Sequence, residues 1–185
     1  MIDGARASPP VLELDGLRWR EASPDDAAEL AQLVAASHAD LAYGLPLSEA
    51  AIGAALNRPG LRHAMLCTRG PRVVGAAATR NRNQQAQNLQ LACLFARPAG
   101  AGAALAVYVR HLFWSLPLHR VYAQFPAVPG TAGQERLLRA AGFTCEGRLA
   151  GQALIGGRAL DLLCYGLLRR DFDRWCQENE PRLAL

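Results

Sequence analysis

The sequence predicts an α/β (α+β) domain whose sheet has one parallel pair of strands at its centre and hairpins on either side. Its elements follow the order β-α-α-β-β-β-α-β-α-β-β. Residues 86–125 read as a strand, a glycine-containing loop, a helix and a strand, and such a βαβ unit makes its two strands parallel with a right-handed crossover. Of the 185 residues, 51% are hydrophobic and 19% are charged, so the chain can bury one sizeable core.

The N-terminal half predicts a tail, a strand, two helices and a hairpin. Residues 17–21 alternate between apolar and polar side chains, which is typical of a strand. Ser23 then provides an N-cap and Pro24 a first helical position, and apolar residues recur at helical spacing over 27–34. The other predictions are a flexible tail over 1–12 before a single domain over 13–185, a helix over 48–56, and strands over 63–68 and 73–79 around the turn 69–72.

The C-terminal half predicts the central strand, two packed helices, a closing hairpin and a final helix. The helix after the glycine loop is apolar on one face and stops before Pro117. Thr131 is placed to cap the next helix, and Gly142 is placed to end it. The predicted bounds are strands over 86–93 and 120–125, a helix that follows its cap Thr131 and runs to 141, strands over 143–154 and 158–168, and a helix over 170–178.

Charge and composition exclude several classes of protein. The formal net charge is +4 and the chain contains no lysine, so arginine supplies its basic side chains. This excess suits an anionic ligand, but it is too small and too scattered to make a nucleic acid the expected partner. No apolar run reaches the ~18 residues of a membrane span, and no signal peptide is visible, so we expect a cytoplasmic protein without membrane contact. The five cysteines form no CxxC pair and no Cys/His cluster, which leaves no support for a metal site.

The candidate functional motif is the loop Arg97-Pro98-Ala99-Gly100-Ala101-Gly102, between the central strand and the long helix. Small residues at a helix start leave backbone N–H groups uncovered, and these groups together with the helix dipole can bind a diphosphate. A Walker A loop requires lysine, and a dinucleotide-binding fingerprint requires a third glycine and an acid about 20 residues further on, where this chain has Tyr122. The pattern Arg/Gln-x-x-Gly-x-Gly/Ala fits the loop without gaps.

With this loop in place, the chain resembles the GCN5-related N-acetyltransferase (GNAT) superfamily over about 17–168. Residues 137–149, LLRAAGFTCEGRL, are similar to a block typical of the branch that acetylates the N-termini of ribosomal proteins. Residues 161–168, DLLCYGLL, resemble the closing strand of the family. The resemblance implies a single-domain GNAT fold, with a mixed, mostly antiparallel sheet of about seven strands, a splayed central parallel pair and flanking helices.

The resemblance also implies a co-substrate and an acceptor. The co-substrate is acetyl-CoA or another acyl-CoA, without a metal, and the acceptor is an amine of a small molecule or of a peptide or protein. Backbone N–H groups of the loop would hold the diphosphate, the pantetheine arm would pair with the central strand, and a strand N–H would polarise the acyl carbonyl. The implied cofactor-binding residues are Ala92, Leu94, Arg97, Ala99, Gly100, Ala101, Gly102, Ala103 and Thr131.

The chain departs from the family at the positions that usually carry acid and base. The usual glutamate base is replaced by Ala86, and the tyrosine that protonates the leaving thiolate is replaced by Leu138. Where the ribosomal branch has Asn followed three residues later by Ser, this chain has Thr131 and Gln134. The cofactor motif is therefore present without the usual catalytic residues.

Substitutes for these residues are few, and several alternatives stay open. The catalytic candidates are Glu146, Asp161 and Gln134, although both acids also fit charges that pair within a hairpin. His38 and His63 lie near the substrate-side loops, and an amine can also lose its proton to water. The alternatives to acyl-CoA-dependent transfer are a catalytically weak or non-catalytic GNAT-fold protein that binds CoA or a partner, and acyl transfer from a carrier-protein thioester. Pairing into a homodimer through the late hairpin is left open.

Overall fold

The computed structural model of the chain describes residues 12–36, 48–56, 64–96 and 100–183. The strands are β1 (Leu12–Leu14), β2 (Leu17–Glu21), β3 (Met65–Arg69), β4 (Arg72–Asn83), β5 (Asn88–Phe95), β6 (Arg120–Pro126), β7 (Thr144–Ile155) and β8 (Arg158–Leu168). The helices are α1 (Ala27–Ala36), α2 (Glu49–Leu56), α3 (Ala101–Ser115), α4 (Thr131–Ala140) and α5 (Arg169–Leu183), and the 3₁₀ turn Pro24–Asp26 leads into α1. All eight strands form one sheet in the order β1-β2-β3-β4-β5-β6-β8-β7.

This architecture confirms the predicted fold class. The neighbours β5 and β6 are parallel, and the other described strand pairs are antiparallel. The described part of the chain forms eight strands where about seven were expected, because β1 was not predicted from the sequence. With three residues β1 is too short to show an alternating pattern. It folds back onto β2 through Asp15 and Gly16, whose φ angles are 52° and 71°.

The hairpin of β4 and β5 extends further than predicted. The polar residues 80–83, predicted as a connection, continue β4, and Arg80 lies opposite Gln90 of β5. The turn 84–87 follows and ends in Gln87 at a φ of 48°. The strand therefore starts after the predicted position 86, and Ala86 lies in the turn. Exposed polar residues at a strand end resemble a loop in sequence, and only pairing with the neighbouring strand distinguishes the two.

The start of α4 also differs from the prediction. Thr131 is the first helical residue, while Gly130 is the N-cap at a φ of 96°. The Thr131 hydroxyl accepts a hydrogen bond from the Val128 N–H at 2.9 Å and donates to the Pro126 carbonyl at 3.3 Å, so it stabilises the turn before the helix. At the other end, Gly142 follows α4 at a φ of 89°, which confirms its predicted position.

Two groups of helices cover opposite faces of the sheet. Successive side chains of a strand point to opposite faces. On β5, Leu91 and Cys93 enter the main core with residues of α3, α4 and α5, whereas Leu94 packs with Leu33 and Val34 of α1. The sheet therefore has an α3 face and an α1 face.

The parallel pair splays apart after three residue pairs. Strands β5 and β6 are paired from Asn88 opposite Arg120 to Gln90 opposite Tyr122. Beyond that point β5 stays paired with β4 as far as Phe95, and β6 stays paired with β8 as far as Pro126. A V-shaped opening, called the splay below, therefore lies between the C-terminal halves of two strands that are each held on their other side.

Helix α3 is the centre of the main core. Ten of its 15 residues are buried. At its N-terminal end, the indole Nε1 of Trp19 on β2 donates to the Ala104 carbonyl at 2.8 Å, and the Trp19 ring stacks on Tyr108 at 5.0 Å. At its C-terminal end, the Arg169 guanidinium donates to the carbonyls of Phe113, Leu116 and Leu118. The bonds to Phe113 and Leu116 satisfy carbonyl groups that the helix end leaves without an intrahelical donor, and the bond to Leu118 fixes the turn that follows.

We expect Arg169→Ala to lower the free energy of unfolding by about 2–3 kcal/mol, since it removes several charge-assisted hydrogen bonds at once. Urea denaturation followed by circular dichroism measures the change. The neighbouring Arg170 is a matched control, because its contact is an exposed ion pair with Asp171 at 3.7 Å and Arg170→Ala should cost less than about 0.5 kcal/mol. Equal effects of the two substitutions would contradict this role of Arg169.

An ion pair attaches the start of α1 to β2. The Arg20 Nη1 donates to the Asp26 carboxylate at 2.8 Å, and the same carboxylate accepts from the Ser23 N–H at 2.7 Å. Asp26 is 8% exposed. The hydrogen bond from Arg20, helped by those from Ser23, lowers the pKa of the Asp26 carboxyl from 3.8 to about 2. The carboxylate therefore stabilises the fold above its unfolded pKa, and this contribution is lost as the pH falls towards 2.

Asp26→Asn should reduce the free energy of unfolding by about 1–2 kcal/mol at pH 7. The difference from the wild type should shrink between about pH 4 and pH 2, because the wild-type carboxyl is then protonated more readily in the unfolded chain. Urea denaturation at a series of pH values measures both quantities. The exposed neighbour Asp25 provides the control, and a pH-independent difference for Asp26→Asn would refute the assignment.

Candidate functional site

The N-terminus of α3 has no side-chain cap among the described residues. Gly100 is its N-cap in the left-handed region, at a φ of 76°, and no side chain caps the helix. The Ala104 N–H, bonded to the Gly100 carbonyl at 3.0 Å, begins the helical pattern, so the N–H groups of Ala101, Gly102 and Ala103 precede it. The first turn holds no acidic residue. This end of α3 can therefore bind an anion, as the glycine motif predicts. The predicted residues Arg97 and Ala99 lie outside the described residues.

The two positions of the loop require glycine for different structural reasons. Gly100 is exposed and has a positive φ, which a residue with a side chain rarely adopts. Gly102 is buried, and a Cβ there would lie 2.5 Å from the Cβ of Ala140. A glycine is thus required at position 102 because α3 and α4 pack in direct contact at this point.

Two arginines from the turn between β3 and β4 lie beside this helix end. The Arg69 Nη2 is 3.8 Å from the position that a Cβ on Gly100 would take. Arg69 and Arg72 line a cavity of about 410 Å³ together with Phe95 and Ala101, and no acidic side chain is among its described lining residues. Neither arginine is recognisable as part of a site from the sequence, because both precede the loop by about 30 residues and resemble ordinary turn residues there.

The register of β5 decides which backbone groups face the splay. The Ala96 N–H donates to Val74 of β4 at 3.0 Å, and the Cys93 carbonyl accepts from Gln134 of α4 at 3.0 Å on the other side. Both backbone groups of a strand residue point to the same side, and the side alternates along the strand. The groups of Leu91 and Cys93 therefore face the splay, whereas those of Ala92 and Leu94 face β4. Ala92 and Leu94 remain predicted cofactor contacts, through their side chains.

Gln134 spans the splay from α4 to β5. Its Nε2 lies 3.0 Å from the Cys93 carbonyl oxygen and 3.3 Å from the Cys93 Sγ. Burial raises the pKa of the Cys93 thiol to about 12, so this sulfur is a neutral thiol and a poor nucleophile. Of the three catalytic candidates, Gln134 is the one that contacts the strand edge on which a thioester would lie.

The two acidic candidates are each held in an ion pair on the late strands. Glu146 on β7 reaches across Gly166 of β8 to pair with Arg120 of β6. Asp161 on β8 accepts from the Gly151 N–H at 2.7 Å and from the Arg148 Nε at 2.5 Å. These two contacts, the Gly151 bond first, lower the pKa of the Asp161 carboxyl. Asp161 therefore pairs within the hairpin of β7 and β8, whereas Glu146 pairs with a strand outside it. The catalytic role of either residue stays a prediction.

Asp161 also has a clear structural partner. Between Leu149 and Ala153 the register of β7 shifts against β8, and Gly151 lies within this bulge at a φ of 60°. The carboxylate of Asp161 satisfies the Gly151 N–H there. Bulges on an edge strand hinder the addition of a further strand, so this feature works against pairing between copies along β7.

The two remaining candidates, His38 and His63, lie outside the described residues. Two other titratable side chains, which the structure describes, have structural partners. His111 lies 3.3 Å from the Ser115 hydroxyl on α3. Tyr165 is buried, and its hydroxyl donates to Glu135 of α4 at 2.8 Å. Burial, and next the bond to Glu135, raise the pKa of Tyr165 to about 12, which fits a structural contact between β8 and α4.

The described residues contain neither a metal-binding cluster nor a membrane-spanning helix. No group of three or more histidine, cysteine or acidic side chains is arranged there to hold a metal ion. None of the described helices combines the length and the apolar character that crossing a bilayer requires.

Solved structures share this fold, while no protein-family model and no curated protein sequence matches the chain. The ribosomal-protein-S5-alanine acetyltransferase of Vibrio fischeri is 18% identical with a TM-score of 0.70, over 88% of this chain and 98% of that one. A GNAT-family acetyltransferase of Bacillus anthracis is 18% identical with a TM-score of 0.69, over 86% and 99%. RimJ of Mycobacterium smegmatis, in complex with CoA-disulfide, is 19% identical with a TM-score of 0.67, over 88% and 89%. With its splayed parallel pair and uncapped glycine loop, the chain has the fold of the GNAT acetyltransferases.

Proposed function

We propose that this protein is an acyl-CoA-dependent N-acyltransferase, which moves an acyl group from a CoA thioester to a primary amine. The observation that carries the proposal is the position of the uncapped α3 N-terminus at the end of β5, directly beside the splay. A diphosphate site and a slot for an extended thiol arm thus follow one another along the same strand. RimJ of Mycobacterium smegmatis, which has this fold, was solved with CoA-disulfide.

The anionic part of CoA would lie at the end of α3. The N–H groups of Ala101, Gly102 and Ala103 supply donors, and the guanidinium of Arg69 supplies positive charge next to Gly100. Arg97 and Ala99 remain proposed contacts from the same loop, and Thr131 a proposed contact from the start of α4.

The pantetheine arm would add to β5 in the manner of a further strand. Beyond Gln90, the side of β5 that faces the splay has no neighbouring strand, and backbone groups of Leu91 and Cys93 point there. Amide groups of the arm can pair with such a strand edge. The slot is therefore specific for an extended chain with its own hydrogen-bonding groups.

The same residues can promote acyl transfer. A thioester supplies an activated acyl group, and the N–H of Cys93 or Leu91 can polarise its carbonyl oxygen. The nitrogen lone pair of the amine attacks the carbonyl carbon, and the carbon–sulfur bond breaks. The Gln134 amide, which already donates across the splay, can hydrogen-bond the departing thiolate. Water would take the proton of the amine, because among the described residues position 86 carries no carboxylate and both late-strand acids are in ion pairs.

A charge placed at the loop tests the binding site. Gly100→Glu should weaken CoA binding at least about 30-fold in isothermal titration calorimetry, since the carboxylate would repel the diphosphate. Gly100→Asn is the matched control, because asparagine tolerates the left-handed conformation and adds no charge. Gly102→Glu is unsuitable here, because any side chain at that position collides with α4.

Arg69→Ala should weaken CoA binding about three- to tenfold in the same titration, and less so at high salt. The exposed Arg18, which pairs with Glu13 on β1, is the control for removing one arginine. Unchanged affinity in both Gly100→Glu and Arg69→Ala would show that CoA does not bind at this end of α3.

Turnover separates the two alternative functions. Binding of CoA without turnover of any amine would favour the non-catalytic alternative. Turnover only with a carrier-protein thioester would favour acyl transfer from a carrier protein.

The pH dependence tests the route of the proton. With water as acceptor, log kcat/KM should rise by about one unit per pH unit up to the pKa of the amine, without a further ionisation from the protein. Thiol release from acetyl-CoA with a panel of amines and N-terminal peptides measures this profile. Glu146→Gln and Asp161→Asn should each retain activity within about threefold. A loss of about 100-fold or more in either would identify that carboxylate as a general base.

A further inference from the structure

The α1 face of the sheet holds an apolar cavity beside β5. Its volume is about 80 Å³, and all 15 of its described lining residues are apolar. They come from α1, α2, β3, β4 and β5 and from Ala22 and Ala64 just outside these elements. They include Leu30 and Ile52 from the helices and Ala92, Cys93 and Leu94 from β5. The cavity therefore borders the strand edge to which we have assigned the thioester.

Small side chains in the sheet create this space. Ala78 of β4 lies directly opposite Ala92 of β5, and both line the cavity. Strand positions usually favour larger β-branched and aromatic residues, which would fill the space. The alanines at these positions leave room for a group that is not part of the described protein.

The chemistry of the lining excludes an amine as the occupant. An amine inside the cavity would lose its hydration without gaining a hydrogen-bond partner among the described residues, which costs several kcal/mol. An alkyl chain in the same place would gain the free energy of apolar burial. The cavity thus fits the hydrocarbon part of a substrate.

A polar surface for the amine lies on the same face, at the start of the splay. Tyr122 is directly opposite Gln90, so their side chains share one face. Gln90 and Ala92 also share a face, because they are two positions apart along β5. The Arg120 guanidinium lies 5.0 Å over the Tyr122 ring, and Gln124 donates to the Cys164 Sγ at 3.4 Å. The α1 face therefore divides into an apolar side at β4 and a polar side at β6.

We infer that the cavity is the binding site for the acyl chain, and that the donor is a short-chain acyl-CoA longer than acetyl-CoA. This inference rests on the proposed function. An apolar cavity of about 150 Å³ holds the six carbons of benzene. By that measure about 80 Å³ holds roughly three carbons, which equals the tail of a butyryl group beyond its carbonyl carbon.

A chain-length series tests the inference on the wild-type protein. Isothermal titration calorimetry with CoA, acetyl-CoA, propionyl-CoA, butyryl-CoA and hexanoyl-CoA gives the dissociation constants. Butyryl-CoA should bind about tenfold more tightly than acetyl-CoA, as the burial of two further methylene groups requires, with propionyl-CoA between them. Hexanoyl-CoA should bind no more tightly than butyryl-CoA, because its tail exceeds the cavity.

Filling the cavity provides the second measurement. Ala78→Leu should bring the ratio of the acetyl-CoA and butyryl-CoA dissociation constants from about ten to about one. Ala159→Leu makes the same change at an exposed position of β8 and should leave the ratio as in the wild type. Equal affinities of the wild type for acetyl-CoA and butyryl-CoA would overturn the inference and leave the acyltransfer proposal intact. Failure of CoA and of every acyl-CoA to bind would overturn the proposed function and the inference with it.

Discussion

The packing of Trp19 against the first turn of α3 is the contact on which the site depends. Its indole donates to the Ala104 carbonyl, and its ring stacks on Tyr108, so the helix is attached to β2 close to its own N-terminus. Arg169 holds the other end. Because both ends are attached to other elements of the fold, the uncapped N–H groups of α3 have a defined position relative to the end of β5. An anion site of this kind is useful only when its donors are preorganised.

The splay is the second constraint, and the strands around it explain how it persists. A backbone group without a partner in a buried position is costly, and a gap in the middle of a sheet leaves several. Here β5 and β6 each keep a full-length partner on the outer side, and Gln134 satisfies the Cys93 carbonyl across the gap. An added extended chain would complete the pairing of the strand edge. The same geometry that tolerates the gap therefore favours a ligand with amide groups.

The charged residues of β7 and β8 have structural partners, which indicates a role in stabilising the fold and not in catalysis. Glu146 neutralises Arg120 across Gly166, and Asp161 holds the bulge at Gly151. If the described residues place no free carboxylate at the splay, the proposed acyl transfer would depend on positioning and on hydrogen bonds to the carbonyl and the sulfur. The division of the α1 face into an apolar cavity and a polar surface would then orient the two substrates. In this arrangement the residues of β4 would select the length of the acyl chain, and the residues of β6 would select the polarity of the acceptor.

The sequence by itself determined the order of the elements, the parallel pair, the glycine motif and the absence of the usual acid and base. These features are local, because alternation, helical spacing and turn residues act between neighbours in the chain. Only the tertiary structure decided that Gly102 serves the packing of α3 on α4, that Cys93 rather than Ala92 turns its backbone to the splay, and that Arg69 lies beside Gly100. Each of these depends on contacts between residues 30 or more positions apart. The direction in which a residue of β5 faces also depends on the strand register, and a shift of one residue would reverse it. Such contacts leave no periodic pattern in the sequence, and folding alone brings them together.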